Sequence, residues 1–297
     1  MRFSLNQIQS IVEIARAGFH VSKAAANLNT SQSAISKHLK SLENTLARPV
    51  FLRSGKRLAG LTPEGEKILK YAERVLQDLA SIEKIGVEAN VLERETLALA
   101  TTPTLAHYLL PTTVKTFTHA NPDVHLRIQV EESDKAVAAV QRGECDFAIA
   151  PIGKRPMNGL SIDVLLEWSR VLIGTKECPL FAAREISLET IATEPIIAFE
   201  TPTVSLRETF KLHGLNPNYA LTTSNPDVMK AYAAQGLGVA IVATPTFDPV
   251  RDAPLVARDA SHLFPNVTIA SVHKEDGYRT IAQKRFLSNL KSVLPAG

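Results

Sequence analysis

The chain is 297 residues long, 45% hydrophobic and 21% charged, with a formal net charge of +3. That length is about twice a usual domain, so two or more domains with proper cores are expected, and two cysteines are too few for a disulfide framework. No run reaches the roughly 20 apolar residues that span a bilayer, and the amphipathic start MRFSLNQIQSIVEIARAG fits neither a signal peptide nor an anchor. The expectation is a reduced, cytoplasmic chain with no membrane partner. Cys145, among the apolar residues of CDFAIA, reads as a buried thiol. The charge is uneven: residues 1–62 hold nine Lys or Arg against two acids, a balance of +7, which leaves −4 for the rest. A basic head on an acidic body suits a polyanion partner for the head alone.

In the head, Leu5, Ile8, Ile11, Val12 and Ala15 recur at helical spacing and stop at Gly18. Ser22 is positioned to cap a short second helix, Lys23 to Leu28; Asn29 and Thr30 make a turn. Thr30 or Ser31 then caps a third helix running to about Leu46. On that helix Ile35, Leu39, Leu42 and Leu46 form one stripe, with Ser33, Ser36, Lys37, Lys40 and Asn44 opposite. Short helix, tight turn and longer helix make a helix-turn-helix, whose second helix enters the major groove by its N-terminal end. Ser31, Gln32 and Ser33 sit at that end. Gln bonds an adenine edge, Ser either donates or accepts, and Lys37 and Lys40 reach phosphates or guanine. Val50 to Leu61 has a two-stranded rhythm around Ser54-Gly55, with Arg53, Lys56 and Arg57 at the tip. This is a wing that places cations over flanking phosphates or the minor groove.

Thr62-Pro63 starts a further helix, with Glu64 and Glu66 complementing its dipole, continuing to about Val91. Ile68, Ala72, Val75, Leu79, Ile82 and Ala89 alternate by fours and threes, with Gly86 breaking one seam position. A rod of about 45 Å with so narrow a stripe reads as a dimerisation stalk. From Glu95 onward, short apolar strands alternate with amphipathic helices (TLALATT, VHLRIQV and CDFAIAP), then a second run begins near Leu165 with VLIGT, PIIAF, YALTT and VAIVAT. That pattern gives two α/β lobes with mostly parallel sheets, and the closing VTIASV and last helix return to the first lobe.

The segments AAANLNTSQSAISKHLKSLENTL, FLRSGKRLAGLTPEG, RGECDFAIA (Gly143, Asp146) and AAQGLGVAIV (Gly236, Gly238) resemble the LysR-type transcriptional regulators from end to end. The resemblance implies an α/β chain with an N-terminal winged helix-turn-helix over 1–61 and a linker helix over 62–92. It implies a two-lobed, periplasmic-binding-protein-like effector domain over 93–297, with lobe I about 93–164 and 267–297 and lobe II about 165–266. Within the family, GKRLAGLTPEGE and TTPTLAHYLLP are most similar to the CysB and Cbl subgroup. That likeness implies a homodimer or homotetramer that binds double-stranded DNA, activates sulfur-acquisition genes with RNA polymerase, and answers a small effector. Sulfate, thiosulfate, acetylserine and adenylyl sulfate are the classes implied.

In that subgroup hydroxyls and helix N-termini hold the ligand, and Thr102, Thr104 and Thr201 match its ligand positions. The residues themselves agree: Thr101, Thr102 and Thr104 follow one strand, and Thr201, Thr203 and Ser205 follow another, each run at the expected start of a helix where free N–H groups attract anions. The chain departs from the subgroup at Pro103, Leu105 and Pro151, where the subgroup has polar residues, and Glu200 beside Thr201 would repel an anion if it faced inward. Another metabolic effector, or a two-lobed anion binder without DNA function, are the alternatives. An enzyme lacks its constellations: there is no GxSxG, P-loop or GxGxxG, and the eight histidines never show HxxxH spacing, so neither metal nor cofactor is expected.

Overall fold

The computed structural model describes residues 3–55, 57–89, 95–153, 157, 159–201 and 205–294, with the backbone alone at 77, 84 and 87–89. Two compact units result, residues 1–90 and 91–297. In the first, α1 (Leu5–Arg16), α2 (Val21–Asn27) and α3 (Gln32–Leu46) enclose a core of Ile11, Ile14, Ala24, Ile35, Leu39 and Leu42. Ser31 caps α3 by accepting from Ala34 N at 3.2 Å, a contact of about 1 kcal/mol. The second helix starts earlier than Ser22 implies: its cap position is His20, which makes no side-chain bond. Ser22 is therefore inside the helix, and packing of Ala24 and Ala25 holds the element.

The wing is β1 (Phe51–Ser54) paired antiparallel with β2 (Arg57–Leu61). Glu43, at the far end of α3, accepts from Val50 N at 2.8 Å and so fixes where the wing leaves the recognition helix. Helix α4 (Pro63–Ala89) begins at Thr62, whose hydroxyl accepts from Gly65 N at 2.8 Å and reaches the Pro49 carbonyl at 2.9 Å. Gly65 is required there because a Cβ would lie 2.0 Å from the Val50 carbonyl oxygen. The expected seam divides: Ala72 is buried in the head core with Ile68, Leu69 and Leu76 against it, while Tyr71, Val75, Ile82 and Ile85 are exposed. The helix end expected near Val91, and the Ala89 side chain, lie outside the described residues.

The second unit contains two five-stranded sheets. The first runs through β3 (Glu95–Thr101), α5 (Pro103–Tyr108), α6 (Leu110–Ala120), β4 (Val124–Val130), α7 (Ser133–Arg142), β5 (Phe147–Pro151) and β6 (Leu160–Trp168). The second follows with β7 (Arg170–Thr175), α8 (Leu188–Ala192), β8 (Ile196–Phe199), α9 (Arg207–Leu212), β9 (Tyr219–Thr223), α10 (Pro226–Ala234), β10 (Val239–Ala243) and β11 (Leu255–Asp259). Strand β12 (Val267–Lys274) returns to the first sheet, and α11 (Ile281–Val293) brings Phe286 against Phe117 and Phe147.

Strand orders are β4-β3-β5-β12-β6 and β9-β8-β10-β7-β11, so both sheets carry three parallel strands followed by two that alternate in direction. Because β6 belongs wholly to the first sheet, the chain crosses at Ser169 rather than near residue 164. The uninterrupted sequence DVLLEWSRVLIGT carries no break at that point. At the head of β10, Gly238 lets the backbone pass the Pro195 carbonyl, which a Cβ would approach to 2.1 Å.

Candidate nucleic-acid interface and effector cleft

Every described residue expected to read DNA is exposed: Ser31 at the cap of α3, Gln32, Ser33, Ser36, Lys37 and Lys40 on that helix, and Arg53 and Arg57 on the wing. They are not equivalent. The Ser31 hydroxyl is engaged in the cap and lies 2.9 Å from that of Ser33. Arg53 pairs with Glu43 at 3.4 Å, so part of its charge is spent tying the wing to α3. Gln32, Ser36, Lys37, Lys40 and Arg57 make no side-chain hydrogen bond or ion pair among the described residues, leaving their donors for a ligand. Lys56 lies outside the described residues. A convex, basic helix flanked by a basic hairpin suits the groove and phosphates of a duplex.

In the second unit a cleft opens between the sheets, and it includes Thr102, Thr104, Ser133, Trp168, Arg170 and Thr201 in its wall. It lies at the carboxyl ends of the parallel strands, where α/β sheets hold ligands. The first turns of α5, α7 and α10 meet it through Pro103, Ser133 and Pro226, giving a positive potential without formal charge. Thr102 caps α5, accepting from Leu105 N at 3.4 Å, and is buried. Thr201 also lines the wall, but no helix starts there: α9 begins at Arg207, and its cap position Leu206 makes no side-chain bond. The expectation of a hydroxyl-rich helix N-terminus is corrected on that side, since Thr201 lies two residues past the end of β8 and Ser205 bridges back to Glu200. Thr203 lies outside the described residues.

Glu200 is held by Arg207 at 2.7 Å, and the same guanidinium donates to the Thr222 hydroxyl at 2.9 Å. Its charge is compensated by this ion pair. Glu132, also in the cleft wall, is exposed and stands 3.9 Å from Lys135. Sequence reasoning missed Arg170, 4% exposed in the cleft wall. A cation at the first position of an apolar strand reads as a solvated flank, and only the sheet crossing at Ser169 encloses it. Burial pushes its pKa down to about 10.

A polar knot joins the two sheets' helices, also unseen in sequence because its members lie far apart. Lys230 on α10 is buried and donates to the Tyr108 hydroxyl of α5 at 2.8 Å, to the Thr246 carbonyl at 2.9 Å and to Asp252 at 3.0 Å. Tyr108 in turn donates to Asp227. Burial raises the Tyr108 pKa, and the Asp227 hydrogen bond adds to this. For Lys230 burial acts downward, but hydrogen bonds to Tyr108, Asp252 and Asp227 outweigh it and the net direction is up. Both thiols are free, and burial raises Cys145 and Cys178 alike. Among the described residues no group of three His, Cys, Asp or Glu could hold a metal, and no helix is long and apolar enough to cross a membrane.

A winged helix-turn-helix and a separate two-sheet unit with an inter-sheet cleft define a DNA-binding regulator of the ligand-responsive class. The chain belongs to the LysR family of transcriptional regulators: residues 5–66 match the bacterial regulatory helix-turn-helix protein model of the lysR family, and residues 91–295 match the LysR substrate binding domain. It is 32% identical to the transcriptional regulator SsuR of Burkholderia cenocepacia, over 88% of this chain and 86% of that one. It is 34% identical to CysB of Haemophilus influenzae over 89% and 83%, and 31% identical to Cbl of Escherichia coli over 90% and 85%. Among solved structures, the cofactor-binding domain of the Cbl transcriptional regulator superposes with a TM-score of 0.63 at 28% identity, covering 69% of this chain and 91% of that domain. Full-length OxyR from Pseudomonas aeruginosa gives 0.70 at 21% identity, covering 98% and 94%. The chain is a regulator and not an enzyme, as its family and relatives are.

Proposed function

We propose that the chain activates sulfur-acquisition and cysteine-biosynthesis genes, acting on double-stranded DNA as a homodimer or homotetramer and under control of a small effector bound in the cleft. The observation that carries this reading is the likeness to CysB, Cbl and SsuR at 31–34% identity over nearly the whole chain, joined with a cleft walled by Thr102, Thr104 and Thr201. Gln32, Ser33, Ser36, Lys37 and Lys40 read the groove, with Ser31 setting the helix start, and Arg53, Lys56 and Arg57 hold the flanking backbone. The exposed stripe of Tyr71, Val75, Ile82 and Ile85 on α4 supplies the apolar face for pairing two chains, which sets recognition helices about 34 Å apart. The effector is of the sulfate, thiosulfate, acetylserine or adenylyl sulfate class, with Thr203 completing its contacts, and the chain's promoter complex recruits RNA polymerase.

The test is fluorescence anisotropy of the full chain on duplexes from upstream of cysteine-biosynthesis genes, titrated with each effector class. One of them is expected to shift the affinity or the footprint. Thr102→Ala and Thr201→Ala are expected to abolish that shift while retaining DNA binding. Ligand responses unchanged in both variants would take the two threonines out of the site, and no sequence preference for such upstream regions would remove the sulfur role.

A further inference from the structure

The cleft wall as read from its hydroxyls and helix N-termini is formally neutral. Arg170 is not. Its position is set by two crossings between the sheets: Trp168, Ser169 and Arg170 make the first, and the segment from Ala260 to Val267 makes the second. Arg170 ties them, its carbonyl accepting from Ala260 N at 3.0 Å and its Nε donating to the Pro265 carbonyl at 3.3 Å. A guanidinium has five N–H donors, and among the described residues this is the one side-chain hydrogen bond Arg170 makes. No carboxylate pairs with it there.

Other arginines of the same unit show the usual solutions. Arg207 pairs with Glu200, and Arg258 donates to the carbonyls of Leu180, Ala183 and Arg184. A charge enclosed without a partner is costly unless an opposite charge arrives. Arg170 lines the cleft with Trp168 and Thr246, and the one carboxylate among the described residues of the wall, Glu132, is exposed and shared with Lys135.

We infer that Arg170 is the counter-charge for the effector: the ligand carries an oxyanion group, sulfate- or carboxylate-like, that the free Nη atoms of Arg170 bind where the chain crosses between the sheets. This rests on the reading of the cleft as the effector site and adds a charge requirement to it. An uncharged hydroxylic ligand would leave the guanidinium enclosed and unpaired. Two parallel N–H···O bonds would favour a ligand presenting two oxygens at once. Binding at the crossing also places the ligand's charge on a side chain that links both strands joining the lobes, so occupancy bears on the angle between them.

The single tryptophan of the chain, Trp168, stands in the same wall, and its emission reports the site directly. The experiment titrates the full chain with sodium sulfate, sodium thiosulfate and sodium acetate at ionic strength held constant with sodium chloride. Wild type is expected to give a saturable change with at least one of them, and the order of affinities tells a tetrahedral sulfo group from a carboxylate. Arg170→Met should weaken that anion by about tenfold or more, and Arg170→Lys, which keeps the charge but not the fork, should fall between. Thermal unfolding without anion controls for folding: Arg170→Met is expected to melt no lower than wild type, because it removes an enclosed lone charge. An Arg170→Met affinity within about twofold of wild type, or no saturable anion in wild type, overturns the inference. If the anion is lost in Arg170→Met while wild-type DNA affinity ignores it, the counter-charge stands and the cleft's control of DNA binding falls.

Discussion

The two units use positive charge in opposite ways. In the first, Lys37, Lys40 and Arg57 are exposed and unpaired among the described residues, and the charge balance of residues 1–62 is +7. In the second, whose residues are acidic on balance, the cations that matter are enclosed: Arg170 in the cleft wall and Lys230 between the lobes' helices. Solvated cations act at a distance, tolerate many geometries and are screened by salt. Enclosed ones are screened little and demand a particular partner. A head that must find a polyanion of any sequence before reading it needs the first kind, and a body that must distinguish one small molecule needs the second.

The sharpest way to break that contrast is ionic strength. DNA affinity of the full chain is expected to fall by about a thousandfold or more between 50 and 200 mM salt, as for proteins that neutralise six or more phosphates. Thermal stability of the body over the same range should move little. A flat salt profile for DNA binding would deny the solvated cations their role. Next in size is Lys230→Met. It leaves Asp252, whose side chain is 10% exposed, without its cation, and removing one member of a buried pair costs about 3–5 kcal/mol. Urea unfolding should show the loss, whereas Lys37→Met or Lys40→Met should shift the midpoint hardly at all. An equal shift in both sets would erase the distinction.

Within the head the comparison sharpens further. Gln32→Ala is expected to lose about 1–3 kcal/mol of discrimination between operator and scrambled duplex. Arg57→Ala should instead weaken both duplexes alike and lower the salt slope by about one. Competition anisotropy at two salt concentrations measures both quantities, and uniform weakening in both variants would place Gln32 on the backbone.

The difference between the units also governs what the sequence revealed. The head was legible in nearly every element because its function depends on local periodicity. The stripe of Ile35, Leu39 and Leu42 faces inward and the polar residues opposite it face out, as a 3.6-residue repeat requires. The wing turn at Gly55 and the Thr62-Pro63 start likewise follow from short-range chemistry. In the body the alternation of strands and helices was readable, but β6 and β11 were not. Both edge strands are half exposed, and β6 runs into β7 through a single residue.

Cleft chemistry was harder still. Thr102 was found because capping is local, whereas Arg170 and the Tyr108–Lys230 contact depend on segments brought together by the crossings. The shared strand order of the two sheets left no repeat in the sequence either. The requirement is for apolar strands in a given sequence of directions, which many residue strings satisfy.

The smallest effect tests an enclosed group that is kept uncharged. His273, on β12, is buried with neither ring nitrogen hydrogen-bonded. Burial lowers its pKa first and the like charge of Arg279 adds to this, with Asp163 at 3.9 Å opposing. The folded state therefore holds the ring neutral, while the unfolded chain takes up a proton near pH 6.5. Below that pH the unfolded state binds more protons, so stability is complete above about 6.5 and declines as pH falls from there toward the lower folded-state value. The slope is at most about 1.4 kcal/mol per pH unit for one proton. His273→Leu should flatten this portion of the curve, since Asp163 keeps Arg279 at 3.5 Å as its partner. Urea midpoints at pH 7.5 and 5.5 for the two proteins measure it. If the variant loses as much stability on acidification as wild type, the titrating group lies elsewhere and the ring is indifferent to its enclosure.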